Sequence, residues 1–360
     1  MSTEHHQVFI GTYTPKGDSS RGIYTATLDA TTATLGEPRL AAETENPTFV
    51  VLHPNGRVVY ALGQCVNEAG KTGGAVTAFA LDRHTGALAA LNMQPTGGGG
   101  TSHLGVDATG RLLVTISYSG GDIATFPLAA DGRIGARTGF IKPSGPLGPV
   151  AARQDKPHPH SVTFSPDNRH AYVCDLAQDK VLCFRVDAAA ATLTPAGEFS
   201  SRAGAGPRHA KFCASGRFLY VINELDCTIA TFVCNPETGA LSPMQVVATL
   251  PDGYTGTNIC AEIRIHPNGR FVYGSNRGHD SLTVYARDPK LGALTLVEIV
   301  PCGGQHPRNF ALSPDGNTLV CANRDTNNLT VFRVDEKSGR LTATGQSVPS
   351  SQAVCVMFAS

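Results

Sequence analysis

The sequence predicts an all-β protein, a seven-bladed β-propeller with four-stranded blades. Two recurring turns carry this prediction, because a repeat of about 50 residues that holds four short strands is typical of a propeller blade. A turn of the Pro-x-Gly-Arg type between two apolar runs occurs six times, anchored at Gly56, Gly110, Asn168, Gly216, Gly269 and Gly316. A second hairpin occurs seven times, anchored at Leu35, Leu88, Ile134, Leu193, Leu241, Leu294 and Leu341.

The mismatch between six turns and seven hairpins predicts how the ring closes. Three strands at the start of the chain, within residues 8–10, 22–26 and 39–41, and one near its end, residues 353–358, remain after six blades are assigned. Together they make the seventh blade, which pairs the edges that an open ring would expose. A solenoid of stacked sheets is the alternative, but it needs capping units and the sequence shows none.

The repeats run through the whole chain, so residues 1–360 are assigned to a single propeller domain. The expected blades cover approximately residues 7–45 together with 351–360, then 46–98, 99–155, 156–204, 205–259, 260–304 and 305–350.

Composition and charge exclude several functional classes. Lys and Arg together number 29, as do Asp and Glu, so the chain lacks the net positive charge that nucleic-acid and anionic-lipid binders use. No basic stretch precedes an apolar run at the N-terminus, and no apolar run is long enough to span a bilayer, so we expect a cytoplasmic protein without nucleic-acid or membrane partners. The ten cysteines form no Cys-x-x-Cys pair, which argues against zinc and disulfides.

Ionisable side chains recur at one end of the predicted blades. The two inner strands of a blade are antiparallel, so the start of the first and the end of the second lie at the same face of the ring. A repeat needs only turns and an apolar core, and different ionisable groups at equivalent positions therefore indicate a functional site. The groups that carry this prediction are His160, Arg208, Glu224, Glu262, Arg277 and Arg308. Residues expected beside them at equivalent positions are His103, His209 and Asn309.

A structural interpretation of these polar ends is the alternative. Asn is a frequent turn residue, and we assign Asn223, Asn276 and Asn323 to closing their strands by hydrogen bonds to the backbone. Two long connections, within residues 142–160 and 251–260, cross the same face. They form either a rim or partial lid of the site or solvated surface loops.

Ordered, blade-specific motifs along essentially the whole chain resemble the seven-bladed propeller lactonases, a group that includes bacterial 6-phosphogluconolactonase and the fungal carboxy-cis,cis-muconate lactonizing enzyme. The stretches that carry the resemblance are Ile10-Gly-Thr-Tyr-Thr14, Ser119-Gly-Gly121, Pro157-His-Pro-His-Ser161, Gly206-Pro-Arg-His209, Tyr220-Val-Ile-Asn-Glu224, Ala261-Glu262, Ser275-Asn-Arg-Gly278 and His279-Asp-Ser281.

The resemblance implies a catalytic set that matches the blade comparison. The family's proposed site has a His and an Arg that open successive inner strands, then a Glu and an Arg that end later second strands. These residues correspond here to His160, Arg208, Glu224 and Arg277. The chain departs from the family pattern at Ser117-Tyr118 and Gly63-Gln64, which alters one wall of the site.

Opening a sugar lactone requires water at the carbonyl carbon, a group that takes its proton, and positive charge beside the oxyanion. Glu224 and His160 are both candidates for the base, but two nearby guanidiniums lower the pKa of a carboxylate, so we favour His160, with Glu224 orienting the water or its neighbours. Arg208 would stabilise the oxyanion. Arg277, or alternatively Arg308, would hold a substrate phosphate or carboxylate. No metal ligand spacing and no Gly-x-Ser-x-Gly motif occur, so we expect neither a metal, another cofactor nor a serine nucleophile.

Three functions are compared. Hydrolysis of 6-phosphogluconolactone or a related phosphorylated or carboxylated sugar lactone is favoured. A lactonizing lyase reaction on a carboxylated muconate would use the same arginines but needs a proton donor to carbon. A non-catalytic scaffold is the third, and the absence of Trp, and hence of the Trp-Asp repeat of scaffold propellers, argues against it. The expected partner is a small anionic lactone, and the sequence leaves open whether the protein is a monomer or a weak dimer.

Overall fold

In the part of the chain that the structure describes, twenty-nine strands form seven antiparallel sheets around one axis. The structure is a computed structural model that describes residues 5–66, 70 and 72–359. The first three sheets contain β1 (His5–Thr12), β2 (Gly22–Asp29), β3 (Thr34–Leu35) and β4 (Arg39–Glu43); β5 (Val50–Leu52), β6 (Val58–Val66), β7 (Thr72–Leu81) and β8 (Leu88–Pro95); and β9 (Thr101–Val106), β10 (Leu112–Ser117), β11 (Asp122–Pro127) and β12 (Gly139–Ile141).

The remaining sheets repeat the four-stranded pattern. They contain β13 (Pro159–Phe164), β14 (His170–Asp175), β15 (Lys180–Asp187) and β16 (Thr192–Ser200); β17 (Pro207–Phe212), β18 (Phe218–Asn223), β19 (Thr228–Cys234) and β20 (Leu241–Ala248); β21 (Ile259–Ile265), β22 (Phe271–Arg277), β23 (Ser281–Arg287) and β24 (Leu294–Pro301); and β25 (Pro307–Leu312), β26 (Thr318–Asn323), β27 (Asn328–Val334) and β28 (Leu341–Pro349). The last strand is β29 (Ala353–Ala359).

The two ends of the chain share the first sheet. Strand β29 pairs with β1 in a register that runs from Gln7 opposite Ala359 to Gly11 opposite Cys355. The outer edge of this sheet is divided, since β3 and β4 both pair with β2. The predicted seven-bladed propeller, closed by N-terminal and C-terminal strands in one blade, is therefore confirmed.

The recurring turns have a backbone conformation that explains their sequence. All six turn anchors have positive φ, for example 68° at Gly110 and 60° at Asn168. Glycine adopts this left-handed region without a steric penalty, and Asn tolerates it better than most residues. The single substitution of Asn for Gly in the repeat thus keeps the turn.

The apolar core lies between neighbouring blades rather than at one centre. Val114 of the third sheet and Val173 of the fourth belong to one buried cluster, whereas Val8 of the first and Val331 of the seventh belong to another. Strand propensity and packing agree here, because β-branched residues fit a pleated surface that is covered on both sides.

Buried tyrosines join successive blades through hydrogen bonds. The hydroxyl groups of Tyr172, Tyr220 and Tyr273 each donate to a glycine carbonyl in the hairpin of the next blade, at 2.9 Å in all three cases. Tyr60 makes the same bond, at 2.8 Å. Burial raises the pKa of Tyr220 to about 12, so its hydroxyl remains a donor at neutral pH.

The innermost strand of each blade lines a channel along the axis. These strands are β29, β5, β9, β13, β17, β21 and β25, and each contacts the next around the ring. We call the end at which they begin the upper mouth and the end at which they finish the lower mouth. Among the described residues, no helix has the length and apolar character needed to cross a membrane.

Candidate active site

A cavity of about 500 Å³ opens at the upper mouth. Seven of the nine residues predicted from the sequence border it: His160, Arg208, His209, Glu224, Arg277, Arg308 and Asn309. Its other polar walls come from inner strands, second strands and connections, and include Tyr13, Gln64, Ser102, Tyr118, Ser119 and Arg153.

A shared local feature places His160, Arg208 and Arg308 at this mouth. Each follows a proline at the start of an inner strand, where the missing N–H costs no ladder bond. Each is also left out of the strand pairing; the ladder passes from Pro159 directly to Ser161, and the same step occurs around Arg208 and Arg308. Such β-bulges redirect a side chain. The repeated bulge therefore provides equivalent positions at which different chemical groups meet.

Glu224 is the centre of the charge network. It follows β18 and is 2% exposed. Its Oε2 accepts hydrogen bonds from Nε of Arg208 and lies beside Nη2 of Arg277, both at 2.8 Å, and its Oε1 pairs with Arg153. Burial alone would raise the pKa of the Glu224 carboxyl, but Arg277 and Arg208 hold that pKa well below its usual value. The group is thus a carboxylate at neutral pH and a weak base.

The two buried arginines are fixed by second contacts. Nη1 of Arg208 donates to the Ala261 carbonyl at 2.6 Å, and Nη2 of Arg277 donates to the Cys260 carbonyl at 2.5 Å. Burial, with Arg277 and then Arg308, lowers the pKa of Arg208 to about 9. That value is above neutral pH, so the guanidinium remains charged while most of its surface is removed from water.

Arg308 differs from these arginines. Within the described part of the chain it forms no ion pair with a carboxylate, and its guanidinium carbon lies 5.7 Å from the centre of the Tyr13 ring. It is also only partly buried while bordering the cavity. Its donors are therefore available to a ligand.

Arg153 is the charged residue of the site that the blade comparison did not identify. It lies on the connection before β13, between residues 142 and 158, and its side chain is about one-third exposed, at 34%. The next residue, Gln154, holds the connection in place by donating to the Leu176 carbonyl and to Asp179, both at 2.9 Å. This connection is therefore a rim of the cavity, as one of the two interpretations expected. In the sequence, Arg153 is marked only by being an arginine in a long loop that crosses the face of the site.

The other long connection contributes less to the cavity. Within residues 251–260, only Ile259 borders it. Asn258 instead ties the connection to the second strand, since its Nδ2 lies 3.3 Å from Oδ1 of Asn276. Asn276 in turn donates to the Thr249 carbonyl at 2.8 Å, which fits the structural interpretation of this Asn.

His160 is 5% exposed and faces other aromatic rings. Its ring centre lies 5.4 Å from that of Tyr118 and 5.2 Å from that of His209. Burial, followed by the charge of Arg208, lowers the pKa of His160 well below its usual value. A neutral imidazole with an unprotonated nitrogen is therefore present at neutral pH, which a proton acceptor requires.

The remaining two predicted residues, His103 and Glu262, do not border the upper cavity. Glu262 is fully buried beneath it, where it accepts a hydrogen bond from Asn309 and lies 3.3 Å from Nδ1 of His209. His103 stacks on Phe49, with ring centres 4.1 Å apart, and borders the opposite mouth. These residues form a layer across the channel that supports the floor of the site.

Among the described residues, no group of three or more His, Cys, Asp or Glu side chains is arranged to hold a metal ion. The residues that line the cavity provide instead one carboxylate, the two neutral imidazoles of His160 and His209, and four guanidiniums. This arrangement can bind an anion, polarise a carbonyl oxygen and accept a proton from water.

Comparisons with known proteins agree with this geometry. The family model described as "Lactonase, 7-bladed beta-propeller" matches residues 7–358. A Bacillus subtilis protein named 6-phosphogluconolactonase is 35% identical over 302 residues, which cover 84% of this chain and 83% of the relative.

Two solved structures superpose over nearly the whole chain. A crystal structure from Bacteroides fragilis, described as a putative 6-phosphogluconolactonase, has a TM-score of 0.90 and 32% identity, covering 99% of this chain and 98% of the other. A Pseudomonas aeruginosa structure described as a periplasmic gluconolactonase has a TM-score of 0.91 and 30% identity, covering 98% of this chain and 99% of the other.

Proposed function

The chain belongs to the seven-bladed β-propeller lactonase family, and on that premise we propose that it hydrolyses 6-phosphogluconolactone to 6-phosphogluconate, a step of the pentose phosphate pathway. The observation that carries the proposal is the charge of the upper cavity. Its walls contain four guanidiniums and a single carboxylate, which leaves an excess of three positive charges. A site of this charge favours a phosphorylated lactone over a neutral one.

Arg308 is the best candidate for the phosphate-binding residue. Arg277 already contacts Glu224 and the Cys260 carbonyl, whereas Arg308 has no carboxylate partner among the described residues. A planar guanidinium can donate two parallel hydrogen bonds to phosphate. We therefore assign phosphate binding mainly to Arg308, with Arg277 adding positive charge from below.

The hydrolysis step uses His160 and Arg208. Water attacks the lactone carbonyl carbon while His160 accepts its proton, and Arg208 stabilises the negative charge that develops on the carbonyl oxygen. The bond from that carbon to the ring oxygen then breaks, and the protonated His160 returns its proton to the ring oxygen, which becomes a hydroxyl. The product is an open-chain acid.

Glu224 is assigned a positioning role in this scheme. The three arginines that contact it would repel one another without a central negative charge, and their hydrogen bonds keep it ionised. A carboxylate that is stabilised in this way has a low affinity for protons and is therefore a poor general base. It instead holds Arg208 where the oxyanion forms.

The cytoplasm is part of the same proposal. All ten cysteines lie among the described residues and are free, and nine of them are buried. Free thiols in this number fit a reducing compartment, where disulfides rarely form.

The test is the rate of hydrolysis of freshly generated 6-phosphogluconolactone, coupled to 6-phosphogluconate dehydrogenase at mildly acidic pH, with the spontaneous rate subtracted. We expect acceleration by the wild-type protein and at least an approximately tenfold higher KM for Arg308→Ala, because a phosphate contact is lost. The unphosphorylated gluconolactone should show little change in KM.

Arg111→Ala is the matched control, since Arg111 is an exposed arginine in a turn at the lower end of its blade. It should leave both substrates unaffected. Absence of acceleration at micromolar protein would exclude the named substrate. Equal effects of Arg308→Ala on both lactones would exclude the phosphate role of Arg308 and leave hydrolysis in place.

A further inference from the structure

The lower mouth contains a second cavity, of about 570 Å³, which the proposed hydrolysis does not use. The ends of all seven innermost strands border it. Most of the residues that line it have apolar side chains, among them Val51, Leu52, Val106, Phe164, Leu312 and Met357. A cavity of this size falls within the usual range for small-molecule sites, which extends from about 300 to 1,000 Å³.

The strand registers identify one ring of equivalent positions in this wall. Lys211 pairs with Tyr220 and Arg264 with Tyr273, just as Thr163 pairs with Tyr172 in the preceding blade. The corresponding residues in the other four blades are Val51, Gly105, Ala311 and Met357. Five of the seven positions are therefore uncharged, and the two cations lie side by side on neighbouring blades.

These two cations are unevenly compensated. Nη2 of Arg264 lies 3.5 Å from Oε2 of Glu262, and its Nε donates to the Phe310 carbonyl at 3.2 Å. The side-chain ammonium of Lys211 forms neither an ion pair nor a hydrogen bond with any residue that the structure describes, although the residue is only partly exposed. Glu262 is fully buried and does not border the cavity, and it already accepts a hydrogen bond from Asn309. Two cations thus share one buried carboxylate, and the Lys211 ammonium borders the cavity without a carboxylate partner of its own among the described residues.

A charged group that is partly removed from water is costly unless an opposite charge or strong hydrogen bonds accompany it. An anion beside the Lys211 ammonium and the Arg264 guanidinium would supply both. The apolar residues that complete the ring would at the same time remove an apolar body from water, which favours binding.

We infer that the lower mouth binds a small carboxylate with an apolar body, its carboxylate between Lys211 and Arg264 and its apolar part against the walls from the other blades. The inference does not depend on the proposed lactonase activity. The layer that contains His103, His209 and Glu262 separates this cavity from the upper one.

Isothermal titration of the full-length protein with octanoate, octanol and octylamine at neutral pH tests the inference. We expect one octanoate per chain, at least an approximately tenfold higher Kd for octanol, and no binding of octylamine, because the amine repeats the charge of the site. Octanol binding as tightly as octanoate would overturn the inference, since no charge recognition would then exist.

Variants locate the site. Lys211→Met should raise the octanoate Kd at least about tenfold, and Lys211→Arg should restore it, whereas Arg308→Ala at the upper mouth should leave it unchanged. Far-ultraviolet circular dichroism and the urea unfolding midpoint of Lys211→Met, compared with those of the wild type, show whether the ring is intact. If that variant does not fold, Arg264→Met takes its place. Octanoate affinity that falls with Arg308→Ala and not with the lower-mouth variants would overturn the inference.

Discussion

The two mouths of the channel are built from the same seven strands and differ in chemistry. At the upper mouth, bulges release His160, Arg208 and Arg308 from the strand pairing, and long connections add further groups. At the lower mouth the ladders are regular, and Lys211 and Arg264 are the charged groups on an otherwise mainly apolar wall. The ring provides equivalent positions at both ends, so chemistry depends on which residues occupy them and on the local backbone irregularity.

The largest expected effect concerns the carboxylate of the upper mouth. Glu224→Ala should lower the free energy of unfolding by about 3–5 kcal/mol, because buried guanidiniums would lose their central negative charge. Urea unfolding followed by circular dichroism measures this loss.

Glu237→Ala is the control, since Glu237 pairs with Arg169 at the surface, at 3.0 Å. It should change the free energy of unfolding far less than Glu224→Ala does, because solvent screens an exposed ion pair. Similar losses in the two variants would show that the buried network does not stabilise the upper mouth.

Exchanging one arginine at each mouth separates catalysis at the upper mouth from ligand binding at the lower mouth. Arg208→Ala should lower kcat for lactone hydrolysis by about 10²–10³-fold, because the developing oxyanion would lose a donor. Arg264→Ala should leave kcat within about twofold, since its contacts lie beneath the floor of the site. Steady-state kinetics on both variants tests this contrast, and comparable losses of kcat would remove the distinction between the mouths.

The lowered pKa of His160 predicts a smaller effect, which concerns the pH dependence of kcat. Its pKa is lowered by burial and by Arg208, so the imidazole stays neutral as the pH falls through the ordinary histidine value of about 6.5. We therefore expect kcat to stay nearly constant from about pH 7.5 to about pH 5.5. A pH profile measured with the spontaneous rate subtracted tests this. A half-maximal rate near the ordinary histidine pKa would contradict the assignment of a neutral His160.

The smallest expected effect lies between the blades and affects neither mouth. Tyr273→Phe removes the hydroxyl that donates to the Gly339 carbonyl at 2.9 Å. The free energy of unfolding should fall by about 1 kcal/mol, with kcat unchanged. Urea unfolding and kinetics on the same preparation measure both quantities. A fall in kcat would contradict this, because it would show that packing between blades affects the geometry of the upper mouth.

The sequence predicted the ring because its turns require particular backbone conformations. Positive φ at Gly110 and Asn168 is a local requirement that a single sequence displays. Counting from such anchors also located His160 and Arg208, because those residues occupy repeated positions. The blade limits and the catalytic roles stay predictions.

What the sequence did not predict depends on contacts between distant segments. Arg153 lies on a connection whose path is set by Gln154 and its partners, so no repeat position marks it. His103 and Glu262 do not border the cavity, although they occupy the same strand position as His209 and Asn309, which do. The sequence did not indicate a role for Lys211 and Arg264, because an isolated Lys or Arg within a strand has the same pattern as an ordinary surface residue.

The shared first sheet has a consequence for the order in which the protein is completed. Gln7 and Ala359, which are partners in that sheet, are separated by almost the whole chain. During synthesis, the inner edge of β1 therefore stays unpaired until β29 has left the ribosome. Contacts between such distant residues form slowly, because loop closure precedes any gain from pairing. Until then, that edge is the part of the nascent chain most open to pairing with a neighbouring polypeptide.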